Sequence, residues 1–439
     1  MSRIILLAIL LFVAVLRLWY ISYAGNSIVI KPDSKGYYMQ ENFFGEHMLT
    51  NFFNPNRTPG YTILTSVVIK DKPAYESQSF LEQARILIFI QTAIGLFSLL
   101  VLYDTLLALK ISQRWSLVFV GLTGVNIYQF IWDRALLTES LYISLFIILM
   151  RLFVSLIKKP TAKTGVMFIV LAICGFMLRP AGLAVPYLLL PIVWCMHRTK
   201  KVFLLLTVLL CVYTAVPVTF VGMNKYLYNF TGLSFNPDFA VFGRILLFDI
   251  PVDSAASVPN LYHKVQEYRA IGGNISIPWY FFVYYGNEVY DRLSELQEFN
   301  RLVIKGQFPQ FAESIIRDIP KAFFDTEVYG VLYRSAEPSF ATHFFDSLEF
   351  VIRMIQKSTI IFLFFIIPTI WLFIKKRTPL HAFLFAIAIV EVYQLFSSLI
   401  FGGAWEFARH MITTQTYLFF FCFWWIGAMI QSAVRAKGR

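Results

Sequence analysis

The chain has 439 residues, of which 58% are hydrophobic, 18% aromatic and only 15% charged, against roughly 25% charged in an average soluble domain. With a mean hydropathy of +0.63 it is excluded from the soluble globular and disordered classes. The net charge of +12 raises the question of a nucleic-acid partner, which the placement of the charges answers below the level of any motif.

Apolar windows of about 20 residues, enough to cross a ~30 Å hydrocarbon core, recur from end to end. In chain order they lie near 4–23, 84–109, 115–132, 136–157, 164–179, 181–196, 202–222, 357–374, 380–401 and 412–431. The sequence therefore predicts an all-α polytopic membrane protein with about ten transmembrane helices. The first window is too long for a signal-peptide core and no small-residue cleavage site follows it, so it reads as a retained signal anchor.

Alternate connections are short and purely basic: Lys110 and Arg114; Lys158, Lys159 and Lys163; Arg198, Lys200 and Lys201; Lys375, Lys376 and Arg377. Arg3 and the trio Arg435, Lys437 and Arg439 match them at the termini. These are about fifteen of the 38 basic residues, with no carboxylate among them, and they place both termini in the cytoplasm of a multi-pass protein of the plasma or inner membrane. About 23 basic residues then face 26 acids, so no surplus is left for nucleic acid.

The opposite connections are long, aromatic and mixed in charge. The chain divides into an N-terminal transmembrane module over 1–222 with a first outer loop at 24–83, an extracytoplasmic loop or cap over 223–356, and C-terminal helices over 357–439. Aromatic richness argues against disorder in the two long loops, and the loops carry the chemistry. Short juxtamembrane helices are expected in the first loop and a small helical cap in the second, from the periodicity of HKVQEYRA and RLSELQEFNRLVIKG.

In PDSKGYY, Asp33 reads either as the cap of a helix starting at Ser34 or as a general base, with Tyr37 one turn on. In NRTPGYTIL, Thr58 and Pro59 start a second helix beside Arg57 and Tyr61. Arg57 there is either an interfacial arginine or a phosphate ligand. WDRALLTESLY supplies Asp133, Arg134 and Glu139, the last a first-turn acid favoured by the helix dipole. Arg179 ends the fifth span in LRPAG, to snorkel or to point inward. Glu406, Arg409 and His410 fall within about one turn before the last span, where Glu406 and Arg409 are placed to pair.

In their order D-S-x-x-Y, R-T-P-G-Y, L-T-E-S-L and L-R-P-x-G, with EFARHM near E-x-x-R-Y, these segments resemble the C-type (GT-C) glycosyltransferase superfamily, the group of the protein mannosyltransferases and the aminoarabinose lipid A transferase. The resemblance covers residues 1 to about 200 and the last helix. It implies a GT-C-like fold and transfer of a sugar from a polyprenyl-phosphate donor in the bilayer to an extracytoplasmic acceptor, usually with inversion. On that resemblance Asp33 is the base, Arg57, Arg179 and Arg409 hold the leaving phosphate, and His410 and Arg134 stand behind them. Glu139 or Asp133 then orients the acceptor or, in some members, helps hold a divalent metal. His410 stands where the superfamily usually has tyrosine. No motif encodes the sugar, and glycan, lipid and protein acceptors all stay open.

A secondary transporter is the alternative from another class, supported by Glu391 in the middle of the ninth window. A flippase or ligase for lipid-linked glycans is a third. The four cysteines all fall inside apolar windows and read as packing residues.

Overall fold

The computed structural model describes residues 2–23, 28, 32–38, 43–45, 47–70, 73–75, 77–272, 281, 292–324, 339–401 and 414–437. Among them there is no strand. Helix is what lipid imposes, because each span must satisfy its own backbone donors and acceptors.

The helices are α1 Ser2–Tyr23, α2 Pro32–Tyr38, α3 Met48–Phe52, α4 Pro59–Val68, α5 Gln78–Ala108, α6 Gln113–Gly124, α7 Ile127–Asp133, α8 Glu139–Lys158, α9 Ala162–Leu178 and α10 Val185–His197. After them come α11 Lys200–Tyr228, α12 Asn236–Leu247, α13 Pro259–Ala270, α14 Leu293–Gly306, α15 Phe308–Phe324, α16 Phe340–Ser358, α17 Phe362–Lys376, α18 Pro379–Phe401 and α19 Gln415–Lys437. Seven helical stretches among the described residues are long and apolar enough to cross a membrane: α1, α5, α8, 180–197, α11, 340–376 and α18. The number is eight if α6 and α7, bent by 51° to one another, form one broken span. The bend sits at Asn126, whose side chain accepts from the Tyr128 amide at 3.1 Å and so starts α7 in a new direction. The chain is a multi-pass helical membrane protein.

α8 is the axis of the bundle, packed between α5 and α9 and buried over most of its surface. α1 lies at the periphery. It exposes Leu7, Leu11, Val15 and Leu18 along one stripe while Val13, Leu16, Arg17 and Tyr20 face inward. At one end of the bundle the basic connections gather: Lys158 Nζ donates to the Ala108 carbonyl at 3.3 Å, and His197 Nε2 lies 3.1 Å from the Ile157 carbonyl. At the other end sit α2–α4, the α7–α8 junction and the cap.

The cap, α12 to α15, has its own core of Phe242, Ile245, Val265, Phe299, Val303 and Phe311. A buried Arg244–Asp318 ion pair at 3.0 Å ties α12 to α15. The Phe235 amide donates to the Pro55 carbonyl at 3.0 Å and the Tyr228 hydroxyl to the Thr50 carbonyl at 2.7 Å, fastening the cap to the first loop.

Two expected boundaries move. The helix expected to begin after 356 begins at Phe340, and helical apolar chain continues to Lys376. Asp346, Glu349, Arg353 and Lys357 interrupt the hydropathy there, yet α16 is amphipathic. Its inner face packs Phe345 on Trp19 at 4.9 Å between ring centroids, and Glu349 pairs with Arg353. The second correction concerns Asp33: α2 starts at Pro32, so Asp33 is its second residue and not the cap. Proline favours the first helical position because its φ is already helical and its missing N–H is not needed there.

Candidate functional site

The short helices of the first loop are seated by a close backbone approach. Pro59 opens α4 as expected, although the Thr58 side chain makes no capping bond. A Cβ on Gly60 would stand 2.8 Å from the carbonyl carbon and oxygen of Met177, so only glycine lets α4 lie this close to the end of α9. That contact drives Tyr61 into the bundle, where its hydroxyl donates to Gln91 Oε1 at 2.8 Å. Burial, with Tyr37 and Glu139 adding to it, pushes the Tyr61 phenol well above its ordinary value, so it acts as a neutral donor.

α2 rests on α4. Thr65 Oγ1 donates to the Tyr37 carbonyl at 3.0 Å, and the Tyr37 and Tyr61 rings meet edge to face at 5.1 Å. The Arg57 guanidinium lies over the Tyr37 ring at 5.2 Å. A Cβ at Gly36 would come within 3.2 Å of Arg57 Nε, so the glycine of PDSKGYY leaves room for that stack. Asp33 is one turn before Tyr37 on the same helix. Its side chain lies outside the described residues, as do Glu406, Arg409 and His410 entirely.

Beneath this loop the α7–α8 junction contributes Asp133, Arg134 and Glu139, each no more than 1% exposed. They belong to the buried interior of the bundle. Asp133 Oδ2 is paired with Arg17 Nη1 at 2.7 Å, and its Oδ1 accepts from the Ser140 hydroxyl. The Asp133 main-chain oxygen accepts from Gln91 Nε2 at 2.8 Å, so Gln91 links Asp133 to Tyr61. The Arg134 guanidinium lies over the Tyr20 ring at 5.3 Å.

Glu139 Oε1 pairs with Arg179 Nη1 at 3.0 Å. Arg179 precedes a proline, which excludes helical backbone at its position, and its φ of −146° and ψ of 128° are extended. The chain therefore leaves α9 there, and the side chain turns inward to Glu139 instead of snorkelling.

Arg17 is the site residue missed by the sequence reading. Its signal was an arginine inside an otherwise apolar window, LRLWY, and intramembrane ionisable residues mark function or a partner. Space for it is left at Gly95, where a Cβ would lie 2.7 Å from Arg17 Nη1.

The described residues thus bring together Arg17, Arg57, Arg134 and Arg179 with the carboxylates of Asp133 and Glu139, each carboxylate in an ion pair with one of the arginines. Arginines gathered at one end of a lipid-embedded bundle suit an anionic ligand. Among the described residues no group of three or more His, Cys, Asp or Glu side chains is placed to hold a metal. Elsewhere in the bundle Glu391 is buried on α18, and its Oε2 accepts from the Thr414 hydroxyl at 2.9 Å. No protein-family model matches the chain, and no curated protein matches it by sequence.

Proposed function

We propose that the chain is a membrane glycosyltransferase of GT-C-like architecture, with about ten crossings, that moves a sugar from a polyprenyl-phosphate donor to an extracytoplasmic acceptor. The observation that carries this reading is the gathering of Arg17, Arg57, Arg134 and Arg179 among the described residues at the cap end of the bundle, beside a loop helix that bears an acid. The motif order of the first 200 residues supports it as well.

In the proposed reaction Asp33 takes the proton of the acceptor hydroxyl while that oxygen attacks the anomeric carbon. The bond from the anomeric carbon to the phosphate oxygen breaks, the lipid phosphate leaves with the electron pair, and the anomeric centre inverts. Arg57 and Arg179 stabilise the charge that grows on the phosphate, and Arg134 adds to the field from behind Tyr20. Glu139 fixes Arg179 and thereby acts by positioning. Asp133 does the same through Gln91 and Tyr61. Glu406, Arg409 and His410 complete the site from the last connection, with His410 in the place where the superfamily usually has a phenol. A divalent metal is compatible with the superfamily and is not required by these steps.

The test uses the protein in liposomes with a panel of labelled polyprenyl-phosphate sugars, and release of free polyprenyl phosphate as the readout. Asn has the shape of Asp without its charge, so Asp33→Asn is expected to fold normally and to lose at least a hundredfold in turnover, the scale of general-base catalysis. Undiminished turnover in that variant refutes the base assignment. A transporter, favoured by the buried Glu391, would move solute across the vesicle wall with no release of polyprenyl phosphate.

A further inference from the structure

α15 presents a different chemistry on each of its sides. Phe308, Ile315, Ile319 and Ala322 share one stripe at helical spacing. Ala322 is buried in the core of the bundle, and Ile315 and Ile319 pack against that core. A second side faces the cap, where Arg244 of α12 pairs with Asp318 at 3.0 Å and donates to the Ser314 carbonyl at 3.0 Å. Opposite the bundle stripe lie Glu313, Arg317 and Lys321, all exposed, with Arg317 paired to Glu313.

The apolar stripe outruns the bundle. Phe308 stands about 10 Å before Ile315 along the helix axis, and 63% of its surface is exposed. Ile316, next to the stripe and turned away from the cap, is 65% exposed. The height of this overhang is set by α18, on which α15 packs. Ile400 of α18 and Ile315 of α15 both pack against the cap core. Ile400 lies roughly 31 Å along α18 from Pro379, which follows the basic connection Lys375 to Arg377. The hydrocarbon core is ~30 Å thick, so α15 runs along its boundary on the cap side.

We propose that the N-terminal half of α15 lies in the cap-side leaflet of the bilayer, with Phe308 and Ile316 among the acyl chains and Glu313 and Arg317 in water. Lipid is the occupant because this apolar face continues the surface of the spanning bundle at the level where the bilayer ends, with the charges on the side away from it. Arg317 and Lys321 balance Glu313 and Asp318, so the attraction is apolar and needs no anionic headgroup. Pro320 limits the depth: it has no N–H, so the Ile316 carbonyl one turn back lacks its helical donor and must reach water or headgroups. α12, held to α15 by Arg244, is also held to the first loop, where Asn236 Nδ2 donates to the Asn56 carbonyl at 3.0 Å. The bilayer thereby fixes the height of the cap above Arg57. This inference stands without the transferase reading.

Photo-crosslinking of the full-length protein in phosphatidylcholine vesicles tests it. p-Benzoylphenylalanine replaces Phe308, Ile316, Glu313 or Arg317, one at a time, and mass spectrometry measures phospholipid adducts after irradiation. Yields at Phe308 and Ile316 are expected to exceed those at Glu313 and Arg317 at least tenfold, and to stay within about twofold when phosphatidylglycerol is added to the vesicles. Phe308 and Ile316 are both exposed, so either position decides the matter if the other fails to fold. Yields at Phe308 and Ile316 no higher than at Glu313, or cross-links to a second copy of the chain in place of lipid, overturn the proposal. Adducts that form only with phosphatidylglycerol present refute an apolar anchor.

Discussion

Replacing Arg17 by methionine removes one member of an ion pair whose side chains are only 1% and 2% exposed. The Arg17–Asp133 contact is 2.7 Å long and joins α1 to α7. A buried pair broken at one partner loses ~3–5 kcal/mol, because the remaining charge is left desolvated and uncompensated. Ser140 still donates to Asp133 in the variant, which places the expected loss for Arg17→Met near the lower bound, about 3 kcal/mol. Replacing both partners, as Arg17→Met with Asp133→Leu, removes the charges together. Apolar substitution of such pairs is often neutral or stabilising, and here the orphaned Ser140 hydroxyl subtracts about 1 kcal/mol. The double variant is therefore expected within ~1 kcal/mol of the parent, giving a coupling energy of at least about 2 kcal/mol between the two sites. Equilibrium unfolding in mixed detergent–SDS micelles, followed by tryptophan fluorescence on all four proteins of the cycle, measures it. A loss below about 1 kcal/mol for Arg17→Met, or additivity of the two single changes, would show that the pair does not hold α1 to the bundle.

Gly60→Ala sets a Cβ 2.8 Å from the Met177 backbone, which cannot rotate away as a side chain can. α4 must lift, at a cost of ~1–3 kcal/mol, with a fall in donor turnover as Tyr61 and Arg57 shift; parent-like stability and turnover would contradict the seating argument. Asp238, in the cap, is pushed up by burial to about 6 from an ordinary value of 3.8, against the opposing effect of its Gln297 bond. A carboxyl raised in the folded state contributes stability that is fully present below about pH 4 and is lost as pH rises through about 6. Asp238→Asn is therefore expected to remove that loss and to stabilise the cap at pH 7 by about 1–2 kcal/mol, a figure discounted for partial exposure. Amide exchange in α12 and α14 between pH 4 and 7 checks it, and identical pH profiles for parent and variant would refute the assignment.

The membrane class, the helical fold and most of the long spans were legible in the sequence because hydropathy is a local sum: a window of apolar side chains needs no partner elsewhere to declare itself. The start of α4 at Thr58-Pro59 was legible for the same reason, being local backbone chemistry. α16 was not, since four charges across an amphipathic helix depress the average that a window reports while leaving one face free to pack on Trp19 and Tyr20. The grouping of Tyr37, Arg57 and Tyr61 in one loop could be suggested from their spacing, but their contact could not. The pairings were decided by tertiary structure alone. Arg17 meets Asp133 across 116 residues of chain, and Glu139 meets Arg179 across the whole of α8 and α9. Sequence put charged groups at one end of the molecule, whereas helix crossings, permitted by Gly60 and Gly95, chose their partners. Electrostatic pairing acts over a few ångströms of space and is indifferent to separation along the chain, which is why only the folded bundle could assign it.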